Sequence, residues 1–414
     1  MKFRFLFALL TLSLVCSATF FNLAIAAPLP APAETKLTAA DAGIEKYFGR
    51  AVAVHGDTAV VGSPNNSVTS DGSGSAYVFV RSASGWQFQQ KLTASDASPQ
   101  SFFGVSVAIN GDRIVVGANG DPNAGQASGA AYVFVRSGNT WAQEQKLTGS
   151  ENSPNDAFGL SVGIRGSTIV CGAFGNSVAN SATEGSVYVF RQTSNGWVES
   201  QKLVASDASY FNSFGGSVAI SDDTIVVGAI GNEEFGFFSG AVYVFTFDGS
   251  NWIEHIKLHA QDASPRASFG YRVGIDKDTI VAASDGYVES ETRSAVYVFR
   301  RNSSGWHQQK RIVINDAGIL GRYGLTVAVS GATIVIGSQN DFAVAPYAGS
   351  AYIYRRSGES SWTLYQKFRA SDAAYGDNFG NAVAISGNTV LVSAFGKSDV
   401  AMFAGAAYLF DFVF

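Results

Sequence analysis

Acidic side chains recur at a fixed distance before an aromatic–glycine pair in this chain. Each stands seven residues ahead of the pair, at Asp41, Asp96, Glu151, Asp207, Asp262, Asp316 and Asp372. Carboxylates gathered on one rim could bind a ligand or act as general acids and bases. Alternatively, short Asp side chains in turns accept hydrogen bonds from the backbone two residues on. Because every copy carries the acid, the sequence favours this structural role.

Two familiar catalytic motifs are missing from the sequence. It contains no H-E-x-x-H or C-x-x-C pattern, the spacings typical of zinc-dependent or redox chemistry. Asp121, Asn123 and Gly125 form a faint D-x-N-x-G pattern, which makes the first two weak candidates for metal ligands. No bidentate acid follows to complete a calcium loop. We therefore expect a protein that is not an enzyme and that has no cofactor.

Loops whose sequence differs between otherwise similar repeats hold better candidates for ligand binding. The candidate side chains in these loops are aromatic or acidic: Asp71, Phe235, Phe237, Phe238, Asp341, Phe342 and Tyr347. Diverse loops on a rigid scaffold are where recognition commonly occurs. Drift in unconstrained loops would produce the same diversity, so this alternative stays open.

These side chains must be positioned by a sequence repeat of about 55 residues that occurs seven times. The aromatic–glycine pairs begin at Phe48, Phe103, Phe158, Phe214, Phe269, Tyr323 and Phe379. A tyrosine recurs in the same register, at Tyr77, Tyr132, Tyr188, Tyr243, Tyr297, Tyr352 and Tyr408. Since the acids keep this register too, the repetition extends over almost the whole chain.

Each unit except the last contains four strand signals separated by turns. In the second unit they occupy residues 103–109, 113–117, 129–136 and 141–147. The second and third signals are apolar on both faces, which is typical of a sheet that is covered on both sides. We predict an all-β fold, a seven-bladed β-propeller of four-stranded antiparallel blades.

The two ends of the repeat region predict how the ring closes. The last unit stops after its third strand, at residues 408–410, whereas residues 36–38 resemble a fourth strand with no unit before it. The N-terminal strand is therefore expected to complete the last blade, which removes the sheet edges. Pro32 limits this strand to a start near Ala33, because proline cannot donate to the ladder.

The N-terminal segment predicts export. Residues 1–26 have the cationic start, apolar run and small residues at positions 24–26 of a signal peptide, although the run is also long enough for an uncleaved membrane anchor. Residues 27–35 are a Pro/Ala-rich tether, and residues 36–414 form a single propeller domain with blades that begin near the aromatic–glycine pairs. We expect a secreted or cell-surface protein, periplasmic or extracellular.

Composition and charge exclude some classes of binding partner. Hydrophobic residues make up 46% of the chain and charged residues 15%, with a formal net charge of −5. No basic surplus is present to attract nucleic acid or an anionic membrane. We expect a monomer that binds no nucleic acid and whose mature chain does not insert into a membrane.

The aromatic–glycine pairs, together with Gly62-Ser63-Pro64, resemble the FG-GAP repeat, the blade unit of integrin α-chain propellers and their bacterial relatives. The resemblance covers residues 36–414 and implies a surface that recognises a protein or a glycan. Integrin-like blades carry a D-x-D-x-D-G-x-x-D calcium loop between their first two strands. Here turns as short as residues 110–113 separate those strands, so the calcium sites are not expected.

The sequence leaves three hypotheses on function. The favoured one is a secreted or cell-surface, non-catalytic binding scaffold that recognises a protein or a glycan through variable loops on one propeller face. A multivalent lectin with repeated sites between blades is the first alternative, and it would use the equivalent tryptophans of the repeats. A hydrolase or lyase with acidic rim residues is the second alternative.

Overall fold

The computed structural model describes seven ranges of the chain: 32–65, 72–176, 183–286, 294–314, 325–342, 344–359 and 361–412. Several sequence predictions lie outside these ranges: the signal segment 1–26, residues 27–31 of the tether, Asp71, Asp316 and the pair that begins at Tyr323. Within the ranges, no helix is long and apolar enough to cross a membrane.

Twenty-eight strands account for the secondary structure of the described ranges. The first half comprises β1 (Ala33–Leu37), β2 (Ala51–His55), β3 (Thr58–Ser63), β4 (Ser75–Ser82), β5 (Gly85–Leu92), β6 (Ser106–Asn110), β7 (Arg113–Ala118), β8 (Ala130–Ser137), β9 (Thr140–Leu147), β10 (Ser161–Arg165), β11 (Thr168–Ala173), β12 (Ser186–Thr193), β13 (Gly196–Leu203) and β14 (Phe214–Ser221). The second half comprises β15 (Thr224–Ala229), β16 (Ala241–Phe247), β17 (Trp252–Leu258), β18 (Phe269–Asp276), β19 (Thr279–Ser284), β20 (Ala295–Asn302), β21 (Gly305–Val313), β22 (Leu325–Ser330), β23 (Thr333–Ser338), β24 (Ser350–Arg356), β25 (Trp362–Phe368), β26 (Phe379–Ser386), β27 (Thr389–Ala394) and β28 (Ala406–Asp411).

The strands form seven four-stranded antiparallel sheets, and each sheet is one blade. Blades one to six use consecutive strands, from β2–β5 to β22–β25, and blade seven has the order β1-β28-β27-β26. In the closing pair, Lys36 lies opposite Tyr408 and Leu37 opposite Ala407. The predicted seven-bladed propeller and its closure by the N-terminal strand are confirmed. Because β1 begins at Ala33, residues 33–35 belong to blade seven and not to the predicted tether.

Two-residue turns join the first and second strands of each blade. In blade two, the pairing of Asn110 with Arg113 leaves only Gly111 and Asp112 in the turn. Gly111 has a φ of 57°, a left-handed conformation that such tight hairpins require and that glycine adopts without strain. These turns are as short as the sequence predicts.

The hydrophobic core is a series of layers between neighbouring blades. The second strand of every blade is buried along most or all of its length, as β3 and β11 illustrate. One core cluster combines Val60 and Val78 of blade one with Ile114 of blade two. Each blade is therefore covered on both faces by its neighbours, and its stability depends on the complete ring.

The aromatic–glycine pair makes a close backbone contact between blades. Phe103 forms a bridge to Gly74 of the preceding blade, and its buried ring packs edge-on against Tyr132, with 5.4 Å between centroids. A Cβ atom on Gly104 would lie 2.3 Å from the Ser75 carbonyl oxygen, and one on Gly117 would lie 1.9 Å from the Gly159 carbonyl oxygen. Only glycine allows the two backbones to approach this closely.

Deleting residues 34–38 should lower the melting temperature sharply, because the edge of β28 then loses its ladder partner. Circular dichroism melts of the full chain and the deletion variant measure this effect. A synthetic peptide of residues 32–40, added in trans, should restore part of the loss, whereas a scrambled peptide should not. An unchanged melting transition in the deletion variant would contradict closure by β1.

The Gly117→Ala substitution should destabilise the ring by about 1–3 kcal/mol, the usual cost of overpacking a well-packed contact. The added Cβ would meet backbone that cannot move without separating two blades. Gly43→Ala is the matched control, because its Cβ would lie 3.4 Å from the flexible Lys46 side chain. Urea unfolding of both variants measures the difference, and equal stabilities would exclude the close approach as a constraint.

Candidate binding face

Two kinds of connection lie side by side on one face of the ring. They are the loops between the second and third strands, and the connections from each fourth strand to the next blade. The backbone N–H of Gly120 in such a loop donates to the Ser101 carbonyl in a connection, at 3.1 Å, and Asn155 N–H donates to the Gln126 carbonyl at 2.8 Å. We call this surface the loop face, and the opposite surface, which carries the short turns, the turn face.

The repeated acids lie in the connections and bind the blade that follows. Asp96 comes after β5 of blade one. Its carboxylate accepts hydrogen bonds from the Tyr132 hydroxyl at 2.8 Å and from Lys146 Nζ at 2.7 Å. Tyr132 and Lys146 are cross-strand partners in blade two. The carboxylate therefore ties the incoming connection to the third and fourth strands of the next blade.

The same acid–tyrosine–lysine network recurs around the ring. Complete copies are Asp41 with Tyr77 and Lys91, Asp207 with Tyr243 and Lys257, and Asp372 with Tyr408 and Lys36. Glu151 pairs with Lys202, and Asp262 with Arg311. In blade seven the lysine comes from β1, so the closing strand supplies the missing member of the last network.

The network keeps these carboxylates ionised. Partial burial alone would raise the pKa of Asp96, but its hydrogen bonds to Lys146 and Tyr132 lower the pKa overall. The pKa values of Asp41, Asp207 and Asp372 are lowered in the same way. The backbone does turn beside Asp96, where Ala97 N–H donates to the Ala94 carbonyl. The carboxylate's side-chain partners nevertheless belong to the next blade, a contact that the sequence analysis did not identify.

Two acids that the sequence analysis placed among candidate ligands are buried in the same networks. Asp121 is 2% exposed, accepts a hydrogen bond from the Tyr132 hydroxyl at 2.7 Å and lies 3.1 Å from Lys146 Nζ. It also accepts from the Asn123 N–H. Asp341 is 0% exposed and ion-paired with Lys367. Both carboxylates thus form hydrogen bonds and ion pairs within the ring, and neither is exposed to a ligand at the surface.

The described residues contain no group of three or more His, Cys, Asp or Glu side chains arranged to hold a metal ion. Asp121 and Asn123, the weak metal candidates, contact each other through a turn: the Asp121 carboxylate accepts from the Asn123 N–H at 2.9 Å. With Tyr132 and Lys146 also on this carboxylate, its oxygens are already occupied by protein donors. The geometry of this loop is that of a stabilised turn.

The aromatic candidates lie at the surface of the loop face. Phe235, Phe237 and Tyr347 are exposed, at 45%, 57% and 36%. Phe238 and Phe342 are half-buried and support their neighbours: the Phe237 and Phe238 rings are 4.6 Å apart and those of Phe342 and Tyr347 are 4.9 Å apart. Two aromatic clusters therefore project from the loops of blades four and six.

Further exposed apolar side chains on this face were missed by the sequence analysis. They are Ile44, Tyr210, Phe211, Val344, Tyr375, Val400, Met402 and Phe403. The other large hydrophobic residues exposed in the described ranges lie on outer strands: Phe88, Val198, Ile253 and Leu364. None of the described turns on the turn face carries an exposed large hydrophobic residue. The exposed apolar surface is thus concentrated on the loop face and the outer rim.

A sequence signal for some of the missed residues does exist. Ile44, Tyr210 and Tyr375 each stand four residues before an aromatic–glycine pair, where other units have Pro99, Pro154 and Pro265. In blade two, Gly125 at the loop tip packs against Pro154. At this position, a larger apolar side chain in place of proline therefore indicates a connection that projects from the loop face.

A model of the FG-GAP repeat matches the chain at residues 33–79, 86–134, 141–190, 197–245, 252–299, 306–354 and 362–410. The first match runs from β1, the fourth strand of blade seven, to β4, the third strand of blade one, and the second from β5 to β8. The repeat in sequence is therefore offset by one strand from the blade in space. With matches over most of its length, the chain belongs to the FG-GAP repeat family.

Comparison with solved structures gives a similar fold in a crystal structure of a protein from Lactobacillus plantarum. The two chains share 13% sequence identity, with a TM-score of 0.50 over 77% of this chain and 84% of that one. At this identity the likeness concerns the fold alone. Comparison with curated proteins found no match.

The Asp96→Asn variant should be less stable than the parent at pH 7, by about 1 kcal/mol, the typical net value of one hydrogen bond. Because the pKa of Asp96 is lowered in the folded protein, its ionised form stabilises the fold at neutral pH. That contribution is lost as the pH falls through the folded-state pKa. The difference in melting temperature should therefore shrink between pH 7 and pH 3.

Asp112→Asn is the matched control for this experiment. Asp112 is 74% exposed on the turn face and lies 3.4 Å from Arg136. Exposed pairs of this kind contribute little to stability, so the control should differ little from the parent at either pH. A difference for Asp96→Asn that stays constant with pH would show that ionisation of this carboxylate does not stabilise the ring.

Proposed function

We propose that this propeller is an exported, non-catalytic binding scaffold that recognises a partner at the cell surface through its loop face. The observation that supports this most is the distribution of exposed apolar side chains. Tyr210, Phe237 and Tyr375 are 57%, 57% and 72% exposed, and all three lie on the loop face. Export rests on the features of residues 1–26 in the sequence.

The chemistry of the exposed side chains favours a protein over a glycan. Aromatic residues and methionine are enriched in the buried centres of protein interfaces. One group surrounds blade four, with Tyr210 and Phe211 in contact at 4.5 Å between ring centroids. A second group extends over blades six, seven and one, where Glu45 N–H donates to the Met402 carbonyl. Together they offer hydrophobic anchors on a rigid base.

The lectin alternative has less support. The tryptophans at equivalent repeat positions are between 2% and 6% exposed: Trp86, Trp141, Trp197, Trp252, Trp306 and Trp362. The Trp141 indole N–H donates to the Gln89 side chain, and the Trp197 indole N–H to Glu144. These rings pack between blades, so they do not offer open platforms for sugar rings.

The hydrolase or lyase alternative also has little support from the acids. A general acid at neutral pH needs a raised pKa and access to substrate, whereas the pKa of Asp41 and of Asp96 is lowered by their lysine and tyrosine partners. Burial raises the pKa of Asp156 and Asp377, but their side chains are almost inaccessible and bind Asn176 and Lys397.

The double variant Phe237→Ser/Tyr375→Ser should capture at least tenfold less partner than the parent, because it removes one anchor from each apolar group. Quantitative pull-down from cell-surface extracts, with the immobilised full chain, measures this. Both side chains project into solvent, so folding should be unaffected.

The double variant Ile253→Ser/Leu364→Ser is the matched control, because it also replaces two exposed and uncharged hydrophobic side chains by serine. These residues are 49% and 52% exposed on outer strands, away from the loop face, and the variant should capture as much partner as the parent. Equal capture by both double variants, or no specific capture by the parent, would argue against recognition by the loop face.

A further inference from the structure

A cavity of about 390 Å³ opens at the centre of the ring. Its walls are the starts of the first strands, directly after the aromatic–glycine pairs, and include Arg50, Leu160 and Arg272. An adjoining space shares both arginines and also contacts Gln339 and Phe395, which stand at the starts of loops between second and third strands. The cavity therefore lies on the loop face, and we call it the axial mouth.

Both arginines depart from the residue types that the repeat uses at their positions. Arg50 directly follows an aromatic–glycine pair, where blades two and three have Val105 and Leu160. Arg272 stands one position later, where those blades have Ser106 and Ser161. Since neighbouring blades build the same inner strand without these cations, the fold itself does not require a guanidinium at either place.

The hydroxyl groups around the mouth are already engaged in holding blades together. Ser106 Oγ donates to the Gly159 carbonyl and Ser161 Oγ to the Gly215 carbonyl, each at 2.7 Å. Thr326 Oγ1 donates to the Gly380 carbonyl at 2.8 Å. The guanidinium groups are therefore the strongest donors in the mouth that remain available to a ligand.

Arg272 is held in place by its neighbour. Its guanidinium lies over the Tyr271 ring, 4.4 Å from the centroid, and Nη1 donates to the Tyr271 carbonyl at 3.0 Å. Stacking of this kind fixes the planar group and leaves its other N–H donors free. Within the described residues, the Arg50 side chain has no hydrogen bond or ion pair.

The charges in the mouth are unbalanced. No Asp or Glu is among the described residues that line it. Arg50 is exposed at the rim of the mouth, and its partial desolvation together with the nearby charge of Arg272 lowers its pKa, as expected for two cations that line one open cavity. An anion between them would relieve this repulsion, and guanidinium groups bind carboxylate, sulfate and phosphate through paired hydrogen bonds.

We infer that the axial mouth is a binding site for a small ligand that carries a carboxylate, sulfate or phosphate group, held by Arg50 and Arg272. Deeper in the channel, the lining residues are all apolar, such as Val54, Ile109 and Ile164. The anionic group therefore binds at the mouth, and only an uncharged part of the ligand would enter the channel.

This inference is independent of recognition by the apolar groups of the loop face. It depends on two cations at the axis, whereas the proposed function depends on side chains such as Phe237 and Tyr375 in the outer loops. The two can therefore fail separately: loss of partner capture in the loop variants leaves anion binding in place, and the reverse also holds.

Isothermal titration calorimetry of the full chain tests the site with sulfate, phosphate, acetate and glucuronate, and with glucose as the neutral probe, all at constant ionic strength. At least one anion should bind saturably, with one site per chain, and glucose should not. Inorganic anions alone would indicate a free ion as ligand, and tighter binding of glucuronate would indicate an organic acid. No saturable binding of any anion would overturn the inference.

The variants Arg50→Val and Arg272→Ser introduce residues that other blades already use at these positions, so both should fold. Each should weaken binding of the anion at least tenfold, and the double variant should abolish it. Arg165→Gln is the control, because it removes one positive charge from the turn face, where Arg165 pairs with Asp222. Unchanged affinity in the double variant, or an equal loss in Arg165→Gln, would overturn the assignment of the site.

Discussion

Direct backbone contact between glycines of adjacent blades is the constraint on which the rest of the structure depends. Gly62 approaches Gly104, Gly117 approaches Gly159, and the same contact recurs at Gly172, Gly228 and Gly337. Blade five has Ala283 at this position and blade seven has Ser393. Where both residues are glycine no further side chain fits, so backbone atoms alone set the distance between the inner strands. That short distance allows the buried second and third strands of neighbouring sheets to pack face to face, and it explains why the aromatic–glycine pair keeps a regular period.

A second set of contacts stabilises the rim without restricting the loop tips. The networks of acid, tyrosine and lysine join each connection to the following blade, as in Asp96, Tyr132 and Lys146. They use side chains at the bases of the loops, and the tips project beyond them. Sequence variation at the tips and at the starts of the first strands therefore leaves the ring intact, which is why the exposed side chains can differ from blade to blade.

The sequence was sufficient to predict the blades, their number and the closing strand, because period and strand patterning are local properties that repeat. It was not sufficient to predict contacts between repeats. The partnership of Asp96 with Tyr132 joins residues on different blades, and spacing alone favoured a turn. Asp341 was predicted to be a surface acid because burial by a neighbouring blade gives no signal in the sequence around it. Arg272 was overlooked inside a predicted strand, although its departure from serine at that position was visible.

The pairing of β1 with β28 also has a consequence for the order of assembly during synthesis. Glu34 and Lys36 lie 337 and 336 residues before their partners Ser371 and Asp372, so they are synthesised long before the residues that they contact. Ala33 pairs with Asp411, so this contact has a far greater sequence separation than the hairpins within the other blades. The loop-closure entropy that opposes its formation is correspondingly the largest among the strand pairs of the described residues, and closure of the ring is expected to be the slowest of these pairings.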